Sequence, residues 1–293
     1  MTYEVCGAAS ASPIFLLHGT PGSHRGPRPR VSVLYRLGVR LISYDRPGYG
    51  DSTRSPGRVV ADAADDVRAI ADDLGIPDFS VVGRSGGGPH ALACAALLPD
   101  RVRSAAVLVG LAPSDANDLG WFDGMTDNNS RDYQAVTSGH AGEFGDLRAR
   151  AEQVKENPAS LLDVLEPDLT RPDRRVVDDV TIRKQLTDTY AEALRDGTDG
   201  WLDDVIALRQ PWGFELADIK QPVLLWHGAE DAFSPVSHAY WLASQISTAR
   251  IDVANGASHF AAVEALPKAL AWAKATAFRK AGDPECASAG GLR

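Results

Sequence analysis

Short apolar runs alternate with helical stretches along the first 110 residues of this 293-residue chain, and this alternation constrains the fold most. Such runs, separated by helices or loops, predict the parallel strands of an α/β sheet with crossover helices. The predicted strands lie at residues 14–17, 39–44, 79–82 and 104–109. Helices are predicted at residues 61–74, where apolar side chains recur at helical spacing among aspartates, and at residues 89–98.

The alternation stops after residue 110 and resumes near residue 216. The intervening stretch is polar, aromatic and acidic, with helical patches and no convincing strand. Beyond it the predicted elements are strands at 223–226 and 251–253, helices at 235–246 and 261–280, and a small polar end at 282–293 that we expect to fray. The chain therefore divides into an α/β core, residues 1–110 and 216–293, and a helical cap, residues 111–215, inserted between two core strands.

Composition and charge exclude several classes of function. Acidic residues outnumber Lys and Arg by 39 to 30, for a net charge of -9, so the chain lacks the basic surplus of a nucleic-acid binder. No apolar run approaches the ~18 residues that span a membrane, and no secretory signal is visible, so we expect a cytoplasmic protein without a membrane partner. The cysteines (Cys6, Cys94, Cys286) and the seven histidines lack metal-ligand spacing, and we expect neither a metal nor a cofactor.

The motif with the clearest chemical meaning is Gly83-Arg84-Ser85-Gly86-Gly87, a G-x-S-x-G between a predicted strand and a predicted helix. Glycines permit an abrupt strand-to-helix turn, which leaves the serine hydroxyl exposed above the sheet. The backbone N–H groups that follow open a helix, where negative charge is stabilised. The context predicts that Ser85 is a nucleophile.

A serine nucleophile needs a base to take its proton and an acid to orient that base. Both are expected on loops after later strands, where Asp231 and His259 follow in the chain order typical of this architecture. Glu230, adjacent to Asp231, is the alternative acid, but neighbours on a loop point differently and we favour Asp231. His18, His227 and His90 are better explained as loop-holding or packing residues.

The oxyanion that forms during ester cleavage must meet preorganised N–H donors. One donor is expected to be the N–H of Gly86, directly after the nucleophile. The second is expected from the loop His18-Gly19-Thr20-Pro21. Proline has no N–H, so Thr20 is the preferred donor and Gly19 the alternative.

These pieces together resemble the α/β-hydrolase family, in the group with a helical cap between two core strands. The resemblance rests on HGTPG (18–22), DRPGYGDS (45–52), GRSGG (83–87), HGAED (227–231) and GASHF (256–260), in the family's order. It implies the α/β-hydrolase fold, triad roles for Ser85, Asp231 and His259, an oxyanion hole at Thr20 and Gly86, and a substrate pocket between core and cap.

The chain also departs from the family's pattern. Only residues 2–5 are available ahead of the strand at 14–17, which leaves little room for the family's first strand. Epoxide hydrolases and haloalkane dehalogenases carry Asp at the position of Ser85, which argues against both activities. Proline iminopeptidases usually have Trp after the nucleophile, and Gly86 weakens that interpretation.

Residues 111–215 carry 22 Asp and Glu against 11 Lys and Arg. An acidic cap could attract a cationic substrate, but we favour a solvated acidic face. Two or three of its aromatic residues are expected to touch substrate, without the sequence indicating which. They are Trp121, Phe122, Tyr133, Tyr190, Trp201, Trp212 and Phe214.

The function that fits best is a serine hydrolase that acts on a small-molecule carboxylic ester, lactone or related acyl compound. Alternatives are an aminopeptidase resembling proline iminopeptidases, with cap carboxylates holding the substrate ammonium, and non-hydrolytic use of the same site by an acyltransferase, cyclase or lyase. A ligand-binding receptor on the hydrolase fold is the remaining alternative, which the presence of all three triad candidates disfavours.

Overall fold

A seven-stranded sheet forms the centre of the molecule. The computed structural model describes residues 1–138 and 144–277, without the side chains of residues 137 and 138. The strands are β1 (Tyr3–Cys6), β2 (Ser12–Leu17), β3 (Val39–Tyr44), β4 (Phe79–Arg84), β5 (Val102–Leu108), β6 (Val223–Gly228) and β7 (Ala249–Ala254). Their order is β1-β3-β2-β4-β5-β6-β7, and every neighbouring pair is parallel except β1 with β3. The four residues of β1 thus supply an antiparallel edge strand from the short N-terminal stretch.

Helices cover both faces of the sheet. The helices that belong to the α/β alternation are α1 (Val31–Leu37), α2 (Ala63–Asp73), α3 (Gly87–Leu97), α10 (Val236–Gln245) and α11 (Ala262–Ala277). Strand side chains alternate between two apolar clusters: Val81 belongs to the cluster containing α2 and α3, and Val82 to the one containing α11. Because the central strands are covered on both faces, their apolar runs are almost continuous in sequence.

A helical segment connects β5 to β6. Its α-helices are α4 (Asp127–Ser138), α5 (Gly145–Glu156), α6 (Ser160–Leu165), α7 (Arg171–Val177), α8 (Val180–Ala193) and α9 (Asp199–Arg209). Helix α8 is capped by Asp179, whose carboxylate accepts hydrogen bonds from the backbone N–H groups of Thr181 and Ile182. We call residues 109–222 the β5–β6 segment. Its separation as a cap domain with bounds 111 and 215 stays a prediction.

The predicted elements agree with the observed ones to within a few residues. The strand predicted at 104–109 is β5 (Val102–Leu108), and the helix predicted at 261–280 is α11, which is described as far as Ala277. The fraying predicted for residues 282–293 and the residues Cys286 and His140 lie outside the described part of the chain. Within the described ranges, no helix combines the length and apolar character that crossing a membrane requires.

Candidate active site

Ser85 occupies the turn between β4 and α3. Its φ is +52°, in the left-handed region that non-glycine residues rarely adopt, at a cost of about 1–2 kcal/mol. Its backbone N–H donates to the carbonyl of Leu108 on β5 at 2.8 Å, and the carbonyl of Ser85 accepts from the Gly88 N–H at the same distance. These bonds fix the turn and leave the side chain at the carboxyl end of the sheet.

The glycines around Ser85 are required by close backbone contacts. A Cβ on Gly83 would lie 2.2 Å from the carbonyl oxygen of Gly87, and one on Gly87 would lie 2.3 Å from that of Leu17. Both distances are far shorter than any real contact, so helix α3 can approach β2 and β4 only with glycine at these positions. The G-x-S-x-G pattern is therefore a packing requirement of this turn.

The structure brings Ser85, His259 and Asp231 together in one hydrogen-bonded line. The Nδ1 atom of His259 lies 2.9 Å from Oδ2 of Asp231, and its Nε2 atom lies 3.1 Å from Oγ of Ser85. Because an ionised carboxylate only accepts hydrogen bonds, Nδ1 carries the proton in this arrangement. Nε2 is then free to accept the serine proton.

Asp231 is buried and held from several sides. Its Oδ1 atom accepts from the backbone N–H groups of Phe233 at 2.8 Å and Ser234 at 3.0 Å, and His227 Nε2 lies 3.3 Å from its Oδ2. Burial alone would raise the pKa of this carboxyl, but the charge of His259 and the hydrogen bonds from both histidines outweigh it and hold the pKa below its ordinary value. Asp231 is therefore the ionised partner of His259.

Glu230, the alternative acid, is exposed. Its backbone N–H donates to the carbonyl of Ala257 at 3.0 Å, and its carbonyl accepts from Ser258. The loop thus uses Glu230 for backbone contacts and turns the next residue, Asp231, toward His259.

Thr20 and Gly86, the predicted oxyanion donors, lie beside each other. A Cβ on Gly86 would be 2.3 Å from the Thr20 hydroxyl oxygen. Within residues 1–138 and 144–277, neither backbone N–H donates to a protein acceptor. Gly86 is also the N-cap of α3, so its surroundings favour negative charge. The alternative donor, Gly19, also lies near the serine: a Cβ on Gly19 would be 3.4 Å from the Cβ of Ser85.

Asp204, on α9 in the β5–β6 segment, binds the loop that carries Thr20. Its carboxylate accepts from the Thr20 hydroxyl at 2.6 Å, from Tyr49 Oη at 2.9 Å and from Arg58 Nη2 at 2.6 Å, and it pairs with the buried Arg46. Burial would raise the pKa of Asp204, but the charges of Arg46 and Arg58 hold it well below its ordinary value. The cluster ties α9 to the loops after β2 and β3.

Asp173, on α7, binds the loop that carries His259. It accepts from the Ser258 hydroxyl at 2.7 Å and from the backbone N–H of Phe260 at 2.8 Å, so it binds the residues on both sides of the histidine. It also closes the first turn of α7 with Thr170.

A cavity of about 890 Å³, including its open mouth, lies above Ser85 and His259. Three of the seven predicted aromatic residues line it: Tyr133, Tyr190 and Trp201. Trp121 instead packs edge-on against His238, and Trp212 stacks on Phe214. The other lining residues include Arg84, Leu111, Asn128, Asn129, Asp132, Arg150, Leu161, Val164, Leu165, Val205 and Phe233.

The histidines expected to hold loops or pack do so. His18 Nδ1 lies 2.8 Å from the carbonyl of Gly19, and its Nε2 accepts from the Arg46 N–H at 3.2 Å. His90 donates from Nδ1 to the carbonyl of Gly86 at 2.7 Å, and burial lowers its pKa to about 3. His227 Nε2 donates to the carbonyl of Ser234 at 2.6 Å.

One group of potential metal ligands was not anticipated from the sequence. Side-chain atoms of His24, Asp45 and Glu192 lie within 4.8 Å of one another. Asp45 already accepts from the His24 ring and backbone, each at 2.7 Å, and Glu192 pairs with Arg25 at 2.7 Å. The hydrogen bond that the His24 ring donates to Asp45 raises the pKa of His24. The group is satisfied as an ion-pair cluster.

Sequence reasoning missed Asp204, Asp173 and Arg84. The two aspartates stand among the 22 acidic residues of the predicted cap and carry no local motif. Their partners are 184 and 85 positions away, at Thr20 and Ser258. Arg84 occupies the unspecified position of G-x-S-x-G, and its chemistry depends on which charges surround it.

Comparison with known proteins shows the family to which the chain belongs. Residues 12–266 match the family described as the alpha/beta hydrolase fold. The chain therefore belongs to the α/β-hydrolase family, as the motifs implied, and its mostly parallel seven-stranded sheet agrees with that fold.

Several individual hydrolases are similar to this chain in sequence or in fold. The chain is 29% identical over 264 residues to a candidate carbamate hydrolase, RutD, from Azorhizobium caulinodans, with 89% of each chain covered. It is 26% identical over 248 residues to a bifunctional esterase/perhydrolase from Acinetobacter calcoaceticus, covering 80% of this chain and 79% of that one. In fold it is similar to the enol-lactonase from Burkholderia xenovorans, with a TM-score of 0.66, 21% identity and 94% of each chain covered.

Proposed function

We propose that the protein is a serine hydrolase that cleaves a carboxylic ester, lactone or related acyl compound through an acyl-enzyme. The observation that carries this proposal is the hydrogen-bonded line from Asp231 through His259 to Ser85, with distances of 2.9 and 3.1 Å. The line ends at the cavity above Ser85. A serine in this setting is activated because its proton has an acceptor whose positive charge Asp231 stabilises.

In the first half of the reaction, Oγ of Ser85 attacks the substrate carbonyl carbon while its proton moves to Nε2 of His259. The carbonyl π electrons move to oxygen, and the N–H groups of Thr20 and Gly86 bind the resulting oxyanion. When the tetrahedral intermediate collapses, the bond to the leaving group breaks and His259 donates its proton to the departing oxygen. The acyl group is then esterified to Ser85.

In the second half, a water molecule attacks the acyl-enzyme. His259 takes one of its protons, a second oxyanion forms at the same donors, and the bond to Ser85 Oγ breaks. The proton returns from His259 to the serine, and the free acid leaves. Every acid, base and hydrogen-bond donor in this scheme is a residue of the chain, and Asp231 stays ionised throughout.

The named activities of the relatives support this class of chemistry. The similar proteins are named as an esterase/perhydrolase, a candidate carbamate hydrolase and an enol-lactonase. Each of these reactions requires nucleophilic attack on an acyl carbon. Cavity residues Leu111, Leu161 and Phe233 suit an organic substrate of small to medium size.

The aminopeptidase alternative finds less support. It needs a carboxylate free to hold an ammonium group, whereas the cavity carboxylate Asp132 pairs with Arg150. A Trp at position 86, usual in proline iminopeptidases, would meet Thr20, since even a Cβ there would come within 2.3 Å of the Thr20 hydroxyl oxygen.

The test is the intact mass of the protein after treatment with a fluorophosphonate, on the native chain, on Ser85→Ala and on Ser55→Ala. Ser55 is exposed and is the matched control. We expect one adduct on the native chain and on Ser55→Ala, and none on Ser85→Ala. An unlabelled native chain, or labelling that survives in Ser85→Ala, would contradict the proposed nucleophile.

Hydrolysis is distinguished from transfer, cyclisation or elimination by running the reaction of an accepted ester in ¹⁸O-water. One ¹⁸O atom in the acid product is the expected result. A product without ¹⁸O would mean that another acceptor takes the acyl group.

A further inference from the structure

The guanidinium of Arg84 is buried without a protein partner. The residue is 7% exposed and ends β4 directly before Ser85. Among residues 1–138 and 144–277, its side chain has no hydrogen-bond acceptor and no carboxylate within 4.0 Å. Its nitrogens are not among the polar atoms that are both sealed from solvent and unpartnered, and the residue lines the cavity above Ser85. A buried cation in this state is costly unless a ligand supplies the missing charge.

The position of Arg84 places this charge beside the reacting serine. A Cβ on Gly19 would lie 3.5 Å from Nη2 of Arg84 and 3.4 Å from Cβ of Ser85, so the guanidinium and the serine flank the same glycine. Arg84 lines the cavity above Ser85 and also borders a small pocket under the loop of His18.

The other charges of the cavity are already compensated. Arg150 pairs with Asp132 and lies over the ring of Trp201, 5.5 Å from its centroid. His259 is paired with Asp231. Arg84 is therefore the cavity charge, within the described residues, that lacks a counterion.

Tyr190, on α8, offers a second donor on the same cavity. Its hydroxyl is likewise without a hydrogen-bond partner in the described part of the chain and is not sealed from solvent. Burial raises the pKa of Tyr190 to about 12 against a smaller opposing effect of Arg84, so the hydroxyl keeps its proton at neutral pH. The guanidinium and the phenol together offer several N–H and O–H donors, and neither group carries a negative charge.

We propose that Arg84 and Tyr190 bind a carboxylate of the substrate, so that the protein prefers esters or lactones that carry a second, acidic group. This inference rests on the proposed function, because it names the substrate class of the same site. A carboxylate matches the planar fork of an arginine in two parallel hydrogen bonds, and the burial of the Arg84 side chain strengthens the attraction.

The experiment measures kcat/KM for two matched ester pairs. The mono-p-nitrophenyl ester of glutaric acid is compared with p-nitrophenyl valerate, which puts the acid on the acyl side. The acid 4-acetoxybenzoate is compared with phenyl acetate, which puts it on the leaving group. The variants are Arg84→Gln, Arg84→Lys and Arg209→Gln, the last because Arg209 stacks on Trp121 at 4.4 Å outside the cavity and has no carboxylate partner in the described residues.

We expect the native protein to prefer the acidic ester about tenfold or more in at least one pair, as a charge-assisted hydrogen bond implies. Arg84→Gln should bring that ratio close to one, mainly through KM, and Arg84→Lys should retain part of it. Arg209→Gln should keep the native ratio. Equal ratios in the native protein and Arg84→Gln would overturn the inference.

A binding measurement separates this inference from the proposed function. Glutarate is titrated calorimetrically into Ser85→Ala and into Ser85→Ala combined with Arg84→Gln, both checked for folding by circular dichroism. Binding that is lost with Arg84 supports the carboxylate site even if no ester is cleaved. Identical heats in the two variants would refute the site, whether or not fluorophosphonate labels Ser85.

Discussion

The hydroxyl of Thr20 donates to Oδ2 of Asp204 across 2.6 Å, although the two residues are 184 positions apart in the chain. Thr20 belongs to the loop after β2, and Asp204 to helix α9 of the β5–β6 segment. The same carboxylate is shared by Arg46 and Arg58. A proposed oxyanion donor thus takes its position from a buried charge cluster outside the sheet.

This cluster predicts a large effect for Asp204→Asn. Removing the negative charge leaves two buried guanidinium groups uncompensated, which lowers the free energy of unfolding by about 3–5 kcal/mol. Urea unfolding at neutral pH measures it. Asp199→Asn on the same helix is the control, because Asp199 and its partner Arg54 are both more than a third exposed, and the change should cost about 1 kcal/mol or less.

The pH dependence of the same cluster has a definite sign. The folded-state pKa of Asp204 lies below its ordinary value of 3.8, so its stabilisation is present above that pH and is lost as the pH falls further. Between about pH 5 and pH 2, the native protein should therefore lose more free energy of unfolding than Asp204→Asn does. Parallel pH profiles would contradict an ionised Asp204.

Asp231→Asn should lower kcat for an accepted ester by about 10³–10⁴-fold, because the amide no longer fixes the Nδ1–H tautomer of His259 or stabilises its charged form. Glu230→Gln tests the adjacent acid, which is exposed. It should keep kcat within about twofold of the native value. A larger loss in Glu230→Gln than in Asp231→Asn would reverse the assignment of the orienting acid.

Gly86→Ala should lower kcat by about ten- to hundredfold, with a smaller effect on KM. The added Cβ would come within 2.3 Å of Thr20 Oγ1, so Thr20 must move and carry its N–H away from the oxyanion. Steady-state kinetics on the best ester measure the effect. Gly145→Ala meets no atom within 4 Å and should leave both constants unchanged.

Asp173→Asn should lower kcat about tenfold and destabilise the fold by about 1–3 kcal/mol, since it weakens the bonds to Ser258 and Phe260 on either side of His259. Asp179→Ala is the matched control because it removes the cap of α8, at a cost of about 0.5–2 kcal/mol, without touching the histidine loop. It should lower thermal stability but leave kcat intact. A proportional loss of kcat in both variants would show that Asp173 acts only through general stability.

Asp66, on α2, should affect the pH dependence of stability in the opposite direction to Asp204. Burial raises its pKa from 3.8 to about 6, so the stability that it contributes is present below pH 3.8 and is lost as the pH rises through 6. Asp66→Asn should therefore raise the free energy of unfolding by about 1–2 kcal/mol near neutral pH and by little at about pH 4. Asp65→Asn, at an exposed neighbour paired with Arg68, should change stability little at either pH.

The parts of the molecule that sequence reasoning recovered are those with local signals. The central strands are covered on both faces and therefore have long apolar runs, and the turn around Ser85 demands glycine through backbone contacts as short as 2.2 Å. The order of Ser85, Asp231 and His259 could be anticipated because each follows a parallel strand. The strand ends of such a sheet lie at one edge, so their loops meet.

The parts that it missed depend on contacts distant in sequence. Asp204 and Asp173 have the same residue type and surroundings in sequence as the exposed aspartates near them. What distinguishes them is burial against Thr20 and the loop of His259. Arg84 was missed for a related reason: whether an arginine lacks a counterion follows from the packing of other helices around it.

The two carboxylates that leave the β5–β6 segment for the loops of Thr20 and His259 also limit how this chain can be recombined. A β5–β6 segment grafted from a relative would change the wall of the cavity. The loops of Thr20 and His259 would keep their positions only if the graft also carried acidic residues equivalent to Asp204 and Asp173. We therefore expect segment exchange to transfer substrate specificity only from relatives that have both of these acidic residues, however different the other residues of the segment are.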